Sequence, residues 1–124
     1  MRSVSPNIFV NDIDATVNFY KKLGFTLTAR VPADGPAIWC MMTNGDVTFM
    51  FQTFASLGNE LPAISRQDGG SLLLYVQVTG IRKFFEQIQG KVNVLKGLEK
   101  TFYGATEFSI LDPNNYVLTF AEDE

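Results

Sequence analysis

Apolar and polar residues alternate along this chain with two different periods, and each change of period marks an element. Residues 3–10 read as a strand. Ile13, Val17, Tyr20 and Leu23 then recur at helical spacing, which predicts a helix over 14–23. Asp12 or Asp14 is placed to cap it and Gly24 to end it. Phe25, Leu27, Ala29 and Val31 alternate with Thr26, Thr28 and Arg30, a strand with one buried face. Residues 32–36, Pro-Ala-Asp-Gly-Pro, form a turn. Strands over 37–42 and 47–52 flank the hairpin signal Thr43-Asn44-Gly45-Asp46. Residues 53–70 are polar and hold Gly58, Pro62, Gly69 and Gly70; they read as a linker with a short helix near 60–65. The pattern then restarts. A strand over 71–78 leads to a helix over 80–89 with Ile81, Phe84, Phe85 and Ile88 inward. Strands follow near 92–96, 105–111 and 116–121, with Asp112-Pro113-Asn114-Asn115 as the last turn.

The restart is a weak internal repeat. Val10 matches Val78 at an offset of 68 residues, and Thr48 matches Thr119 at an offset of 71. The expected fold is α+β: two tandem βαβββ modules forming a curved mixed sheet around a cleft. Residues 1–124 are read as a single domain, with module one at 1–54, a linker at 55–70 and module two at 71–124. A chain of this size removes roughly two thirds of its unfolded surface from water. Its 46% hydrophobic and 19% charged residues are ordinary for a globular chain. The net charge of −3 and the lack of a basic run argue against a nucleic-acid partner. No apolar stretch approaches the ~20 residues of a membrane span, and no apolar block stands before Pro6 to make a secretory signal. A single cysteine permits no internal disulfide and fits a cytoplasmic location.

Three segments resemble the vicinal oxygen chelate superfamily, which includes glyoxalase I, ring-cleaving dioxygenases, fosfomycin-resistance enzymes and bleomycin-resistance proteins. The first is Val10-Asn11-Asp12-Ile13-Asp14 followed by Asn18-Phe19-Tyr20-Lys21-Lys22-Leu23-Gly24-Phe25. The second, Gly45 to Gln52, is similar to the G-x-V-E-L-M-L-Q strand of the antibiotic-binding branch. The third, Tyr103 to Asn115, is similar to that branch's W/Y-G-x-x-E/D-F-x-x-x-D-P-D-G. Their order and spacing carry the resemblance over nearly the whole chain. It implies a homodimer with ligand clefts built from both subunits.

In metal-using members of that superfamily, ligands come from the first and last strand of each module. The matching positions here are Ser5, Thr48, Leu73 and Thr119. Leucine cannot coordinate, three neutral hydroxyls supply no anion, and the chain has no histidine. Divalent ions call for imidazole, thiolate or carboxylate, so no metal ligand and no cofactor is assigned. Without histidine to activate it, Cys40 reads as a buried thiol rather than a nucleophile. No catalytic residue is assigned. Glu107 stands out as a carboxylate inside a predicted strand. It is either an exposed strand residue, or a cleft residue that accepts a ligand hydrogen bond or pairs with Arg30.

Strand parity names the wall of the cleft. If Ser5 faces it, so do Asn7 and Phe9; Thr48 brings Met50 and Gln52, Leu73 brings Tyr75 and Gln77, and Thr119 brings Val117 and Ala121. The expected ligand-binding residues are Asn7, Phe9, Thr48, Met50, Gln52, Tyr75 and Thr119, with Trp39, Tyr103 and Glu107 added by the resemblance. Trp39 serves equally as a stacking platform or as packing at a dimer seam or core edge. Met41, Met42 and Met50 read as core filling. The leading function is metal-free binding or sequestration of a small, partly aromatic compound, as in antibiotic resistance by bleomycin-resistance-type proteins. A cationic glycopeptide would call for a strongly acidic cleft, which this mostly neutral wall does not offer. Two other readings stay open: a metal-independent isomerase or lyase on the same scaffold, and a scaffold protein whose cleft is filled by its own side chains.

Overall fold

In the computed structural model, which describes residues 1–124, the first helix starts where the sequence offers a carboxylate to its free amides. Asp12 caps α1 (Ile13–Lys22) by accepting from the Ala15 N–H at 3.2 Å, and the buried Thr16 hydroxyl returns to the Asp12 carbonyl at 2.8 Å. The helix closes at Leu23, and Gly24 turns the chain with φ +94°. A side chain at Gly24 would crowd the Asn44 amide at 3.1 Å, so both conformation and space call for glycine.

The chain forms two compact units, Met1–Asp68 and Gly69–Glu124. The first contains α1, β1 (Asn7–Val10), β2 (Thr26–Val31), β3 (Trp39–Asn44), β4 (Val47–Thr53) and the single turn of helix α2 (Phe54–Leu57). The second contains β5 (Leu73–Gln77), α3 (Ile81–Ile88), β6 (Asn93–Lys100), β7 (Ala105–Leu111) and β8 (Val117–Asp123). Each unit carries one four-stranded mixed sheet, ordered β1-β4-β3-β2 and β5-β8-β7-β6. The first strand of each unit lies parallel to the last, and the other pairs are antiparallel. This is the α+β, twice-repeated βαβββ arrangement that the sequence predicts.

Alternation sorts each sheet into two faces. In the first unit Ile8, Val10, Cys40, Met42, Phe49 and Phe51 are buried with Ile13, Val17, Tyr20 and Leu23. Tyr20 is the hub of that core, with ring contacts to Phe19, Phe25, Phe49 and Phe51 at 4.8–5.9 Å. In the second unit, Phe84 and Phe85 of α3 pack on Phe108, and Phe84 also meets Phe120 at 5.0 Å. The α3 N-terminus has no capping side chain of its own, because Gly80 stands there. Glu122 of β8 takes its place and accepts from the Gly80 and Ile81 amides at 2.9 and 3.0 Å.

Three expectations change. No helix forms near 60–65; the helical turn is earlier, at α2, where Thr53 caps it through the Ser56 N–H at 3.1 Å. The Arg66 guanidinium instead gathers the Gly58, Glu60, Leu61 and Ile64 carbonyls into a closed loop. The methionines divide: Met42 is core, whereas Met41 and Met50 are half-buried partners on the opposite face. The matching of Thr48 with Thr119 also slips. Asn7 pairs with Met50 and Tyr75 with Thr119, so Thr119 is the counterpart of Met50 and Val117 that of Thr48. The last turn has one residue more between Leu111 and Val117 than the Thr43–Thr48 hairpin has, which makes the offset of the last strands 69, two short of the 71 that joins the two threonines. A slip of two keeps every side chain on its face.

Candidate ligand-binding faces

In the first unit the sheet face turned away from the buried core carries Asn7 and Phe9 on β1, Thr48, Met50 and Gln52 on β4, and Trp39 and Met41 on β3. Register brings them together. Asn7 is opposite Met50, which is opposite Met41; Phe9 is opposite Gln52, which is opposite Trp39. The Asn7 amide donates to the Gln52 side-chain oxygen at 2.9 Å, so the two amides orient each other. The Phe9 ring meets Phe54 of α2 at 6.0 Å. Sulfur, aromatic carbon and amide thus alternate over adjoining strands.

In the second unit the corresponding face carries Tyr75 on β5, Thr119 on β8, and Glu107 and Ser109 on β7. Tyr103 lies in the turn before β7. Its hydroxyl reaches back to Glu107 Oε2 at 2.6 Å, and the Tyr75 hydroxyl donates to the same oxygen at 2.5 Å. Two phenols from separate segments therefore converge on one carboxylate. The hydrogen bond to Glu107, followed by desolvation, pushes the Tyr75 phenol up to about 12 and raises Tyr103 as well. Both are thereby poorer proton donors at neutral pH. The Thr119 and Ser109 hydroxyls share a hydrogen bond of 2.8 Å.

Sequence reasoning leaves out Ser109, Met41 and the pair formed by Lys96 and Glu99. Ser109 was accessible by parity, two residues after Glu107 on the same strand. The pair was not, because bulges in β6 break its alternation. The suggested bond from Arg30 to Glu107 is replaced on both sides. Arg30 donates to the Ala33 and Gly35 carbonyls at 2.7 Å each, and Glu107 takes the two phenols. By ladder position Glu107 is the second unit's counterpart of Trp39, each lying opposite the last strand at Ala121 and Gln52 respectively.

The positions assigned to metal ligands by resemblance remain Ser5, Thr48, Leu73 and Thr119. Replacing them by the ladder counterparts Met50 and Val117 adds no imidazole, carboxylate or thiolate. No group of three or more His, Cys, Asp or Glu side chains comes together elsewhere. This donor set does not fit a divalent transition metal. No helix is long and apolar enough to cross a membrane.

A profile of the Glyoxalase/Bleomycin resistance protein/Dioxygenase superfamily matches residues 2–120. No curated protein sequence matches the chain. Among solved structures, TioX from Micromonospora sp. ML1 is similar with a TM-score of 0.80 at 17% identity, covering 100% of both chains. A bleomycin resistance determinant encoded on the transposon Tn5 has a TM-score of 0.72 at 20% identity, over 100% of this chain and 99% of that one. A bleomycin-binding protein complexed with bleomycin has a TM-score of 0.67 at 20% identity, over 100% of both.

Proposed function

The chain belongs to the Glyoxalase/Bleomycin resistance protein/Dioxygenase superfamily, and on that premise we propose that it binds, and sequesters, a small, partly aromatic molecule without a metal. The observation that carries the proposal is the chemistry of the two sheet faces. One offers Phe9, Trp39, Met41 and Met50 beside an ordered amide pair; the other offers Tyr75 and Tyr103 around Glu107. Apolar surface with a few fixed polar groups suits a ligand held by contact and oriented by hydrogen bonds. The likeness to structures described as a bleomycin resistance determinant and a bleomycin-binding protein supports small-molecule binding. Catalysis through the tyrosines is not favoured, because Glu107 raises both phenols. The working unit is a cytoplasmic homodimer, in which a partner would cover apolar side chains such as Leu72 and Leu95.

Trp39 is the sole tryptophan and half-buried on its face, so its emission reports on that surface. Screening planar aromatic compounds should yield saturable quenching, reduced by Phe9→Ala. A screen without saturable binders, or quenching indifferent to Phe9, counts against the assignment of this face. Sedimentation at micromolar concentration should give a dimer; a monomer refutes that part.

A further inference from the structure

Glu107 has a carboxylate that is half engaged. Its Oε2 accepts both phenols, whereas no protein group bonds Oε1. The ion pairs of the molecule are Arg82 with Glu124 and Lys96 with Glu99, so Glu107 has no cationic partner. Lys96 feels the field of Glu107, but its ammonium is held by Glu99 at 2.6 Å. Lys96, Glu99, Glu107 and two neutral phenols together leave one negative charge in excess. The surround is apolar and open: Tyr75 and Tyr103 are about half exposed, as is Leu73. Phe102 is fully exposed and stands edge-on to Tyr103 at 5.0 Å. A fixed carboxylate oxygen among aromatic rings is complementary to an organic cation, which gains a charge-assisted hydrogen bond and the attraction of the ring faces. Two bonds to Oε2 hold the carboxylate in place, so less ordering is left for binding to cost.

We infer that Glu107, Tyr75 and Tyr103 form a recognition site for a protonated amine carried on an apolar, ring-containing body. The inference rests on the small-molecule reading above and narrows it to a charge class. A neutral ligand leaves the charge of Glu107 unmet, and an anionic one is repelled by it.

The test titrates three probes of one skeleton into isotope-labelled protein: phenethylammonium, phenethyl alcohol and hydrocinnamate. Amide and tyrosine-ring NMR shifts give the location and the affinity. Phenethylammonium should perturb Tyr75, Tyr103 and Glu107 and bind about tenfold or more tightly than the alcohol, the scale of one hydrogen bond to a charged group. Glu107→Gln should erase that advantage while the amide spectrum away from the cluster is kept, and hydrocinnamate should bind weakest. Equal affinity for ammonium and alcohol overturns the inference but leaves small-molecule binding standing. Shifts confined to other parts of the protein, or no binding of phenethylammonium at millimolar concentration, also overturn it. If the aromatic screen at Trp39 is blank as well, the broader reading falls too. The probe comparison on unmodified protein decides the matter if the variant does not fold.

Discussion

Glu122→Ala should lower stability more than loss of the cap on the other long helix, although Glu122 is far from α3 in sequence. The α3 N-terminus begins at Gly80, which has φ +74° and no side chain to cap with. Glu122 supplies both acceptors, at 2.9 Å to Gly80 and 3.0 Å to Ile81, and places a negative charge at the positive end of the helix. Hydrogen bonds to a charged group contribute roughly 1.5–3 kcal/mol where water cannot replace them. One of these two is exposed and the other part-buried, so about 2 kcal/mol is expected for the pair together. Asp12, with one bond of 3.2 Å, should cost about 1 kcal/mol when replaced by Ala. For a chain of this length, about 2 kcal/mol corresponds to a fall in Tm of about 6–10 °C. Glu122→Gln keeps an acceptor and loses the charge, so it should fall between the wild type and Glu122→Ala. Urea and thermal unfolding followed by circular dichroism measure all three. A Glu122→Ala protein within about 0.3 kcal/mol of wild type, or a Gln variant as weak as the Ala variant, would refute this account of how α3 is anchored.

Other outcomes follow from the same geometry. Phe51→Ala removes a fully buried ring that meets Tyr20 at 4.8 Å and Phe49 at 6.3 Å, and should destabilise the protein by about 3–5 kcal/mol in urea titration. Cys40 is fully buried, and burial pushes its thiol up to about 11; a disulfide reagent at neutral pH should therefore label it only after denaturant is added. In an alkaline ultraviolet titration, Tyr75 should ionise near 12 rather than 10, with Tyr103 also late, and Glu107→Gln should return both toward the ordinary value. The sign follows: a phenol raised on folding adds stability that is present below pH 10 and lost as pH rises toward 12.

Parity was the legible part of this chain. The period of two placed Phe9, Met50, Gln52 and Tyr75 on sheet faces opposite the core, and the helical period placed Tyr20 within it. Register was not legible. The extra residue before Val117 moves the repeat offset from 68 in β3 and β7 to 69 in β4 and β8, and matching Thr48 to Thr119 by residue type, at 71, misses that register by two. The Glu107 cluster was legible only as three names, because its geometry depends on a turn that carries the Tyr103 hydroxyl back over β7. The cap from Glu122 was hidden for a similar reason: 41 residues of chain separate it from Ile81. The helical turn of the linker lies elsewhere than expected. The expectation placed it near 60–65, whereas Thr53 and Ser56 set it earlier by capping it.

The central claim is binding without a metal, and one measurement addresses it most directly: the affinity of the best aromatic binder from the Trp39 screen, before and after exhaustive treatment with a chelator. The account predicts the same dissociation constant in both samples, no stoichiometric transition metal in the starting protein, and no gain on adding zinc, nickel, iron or manganese. Loss of binding on chelation, with recovery on adding back one of those ions, would contradict it.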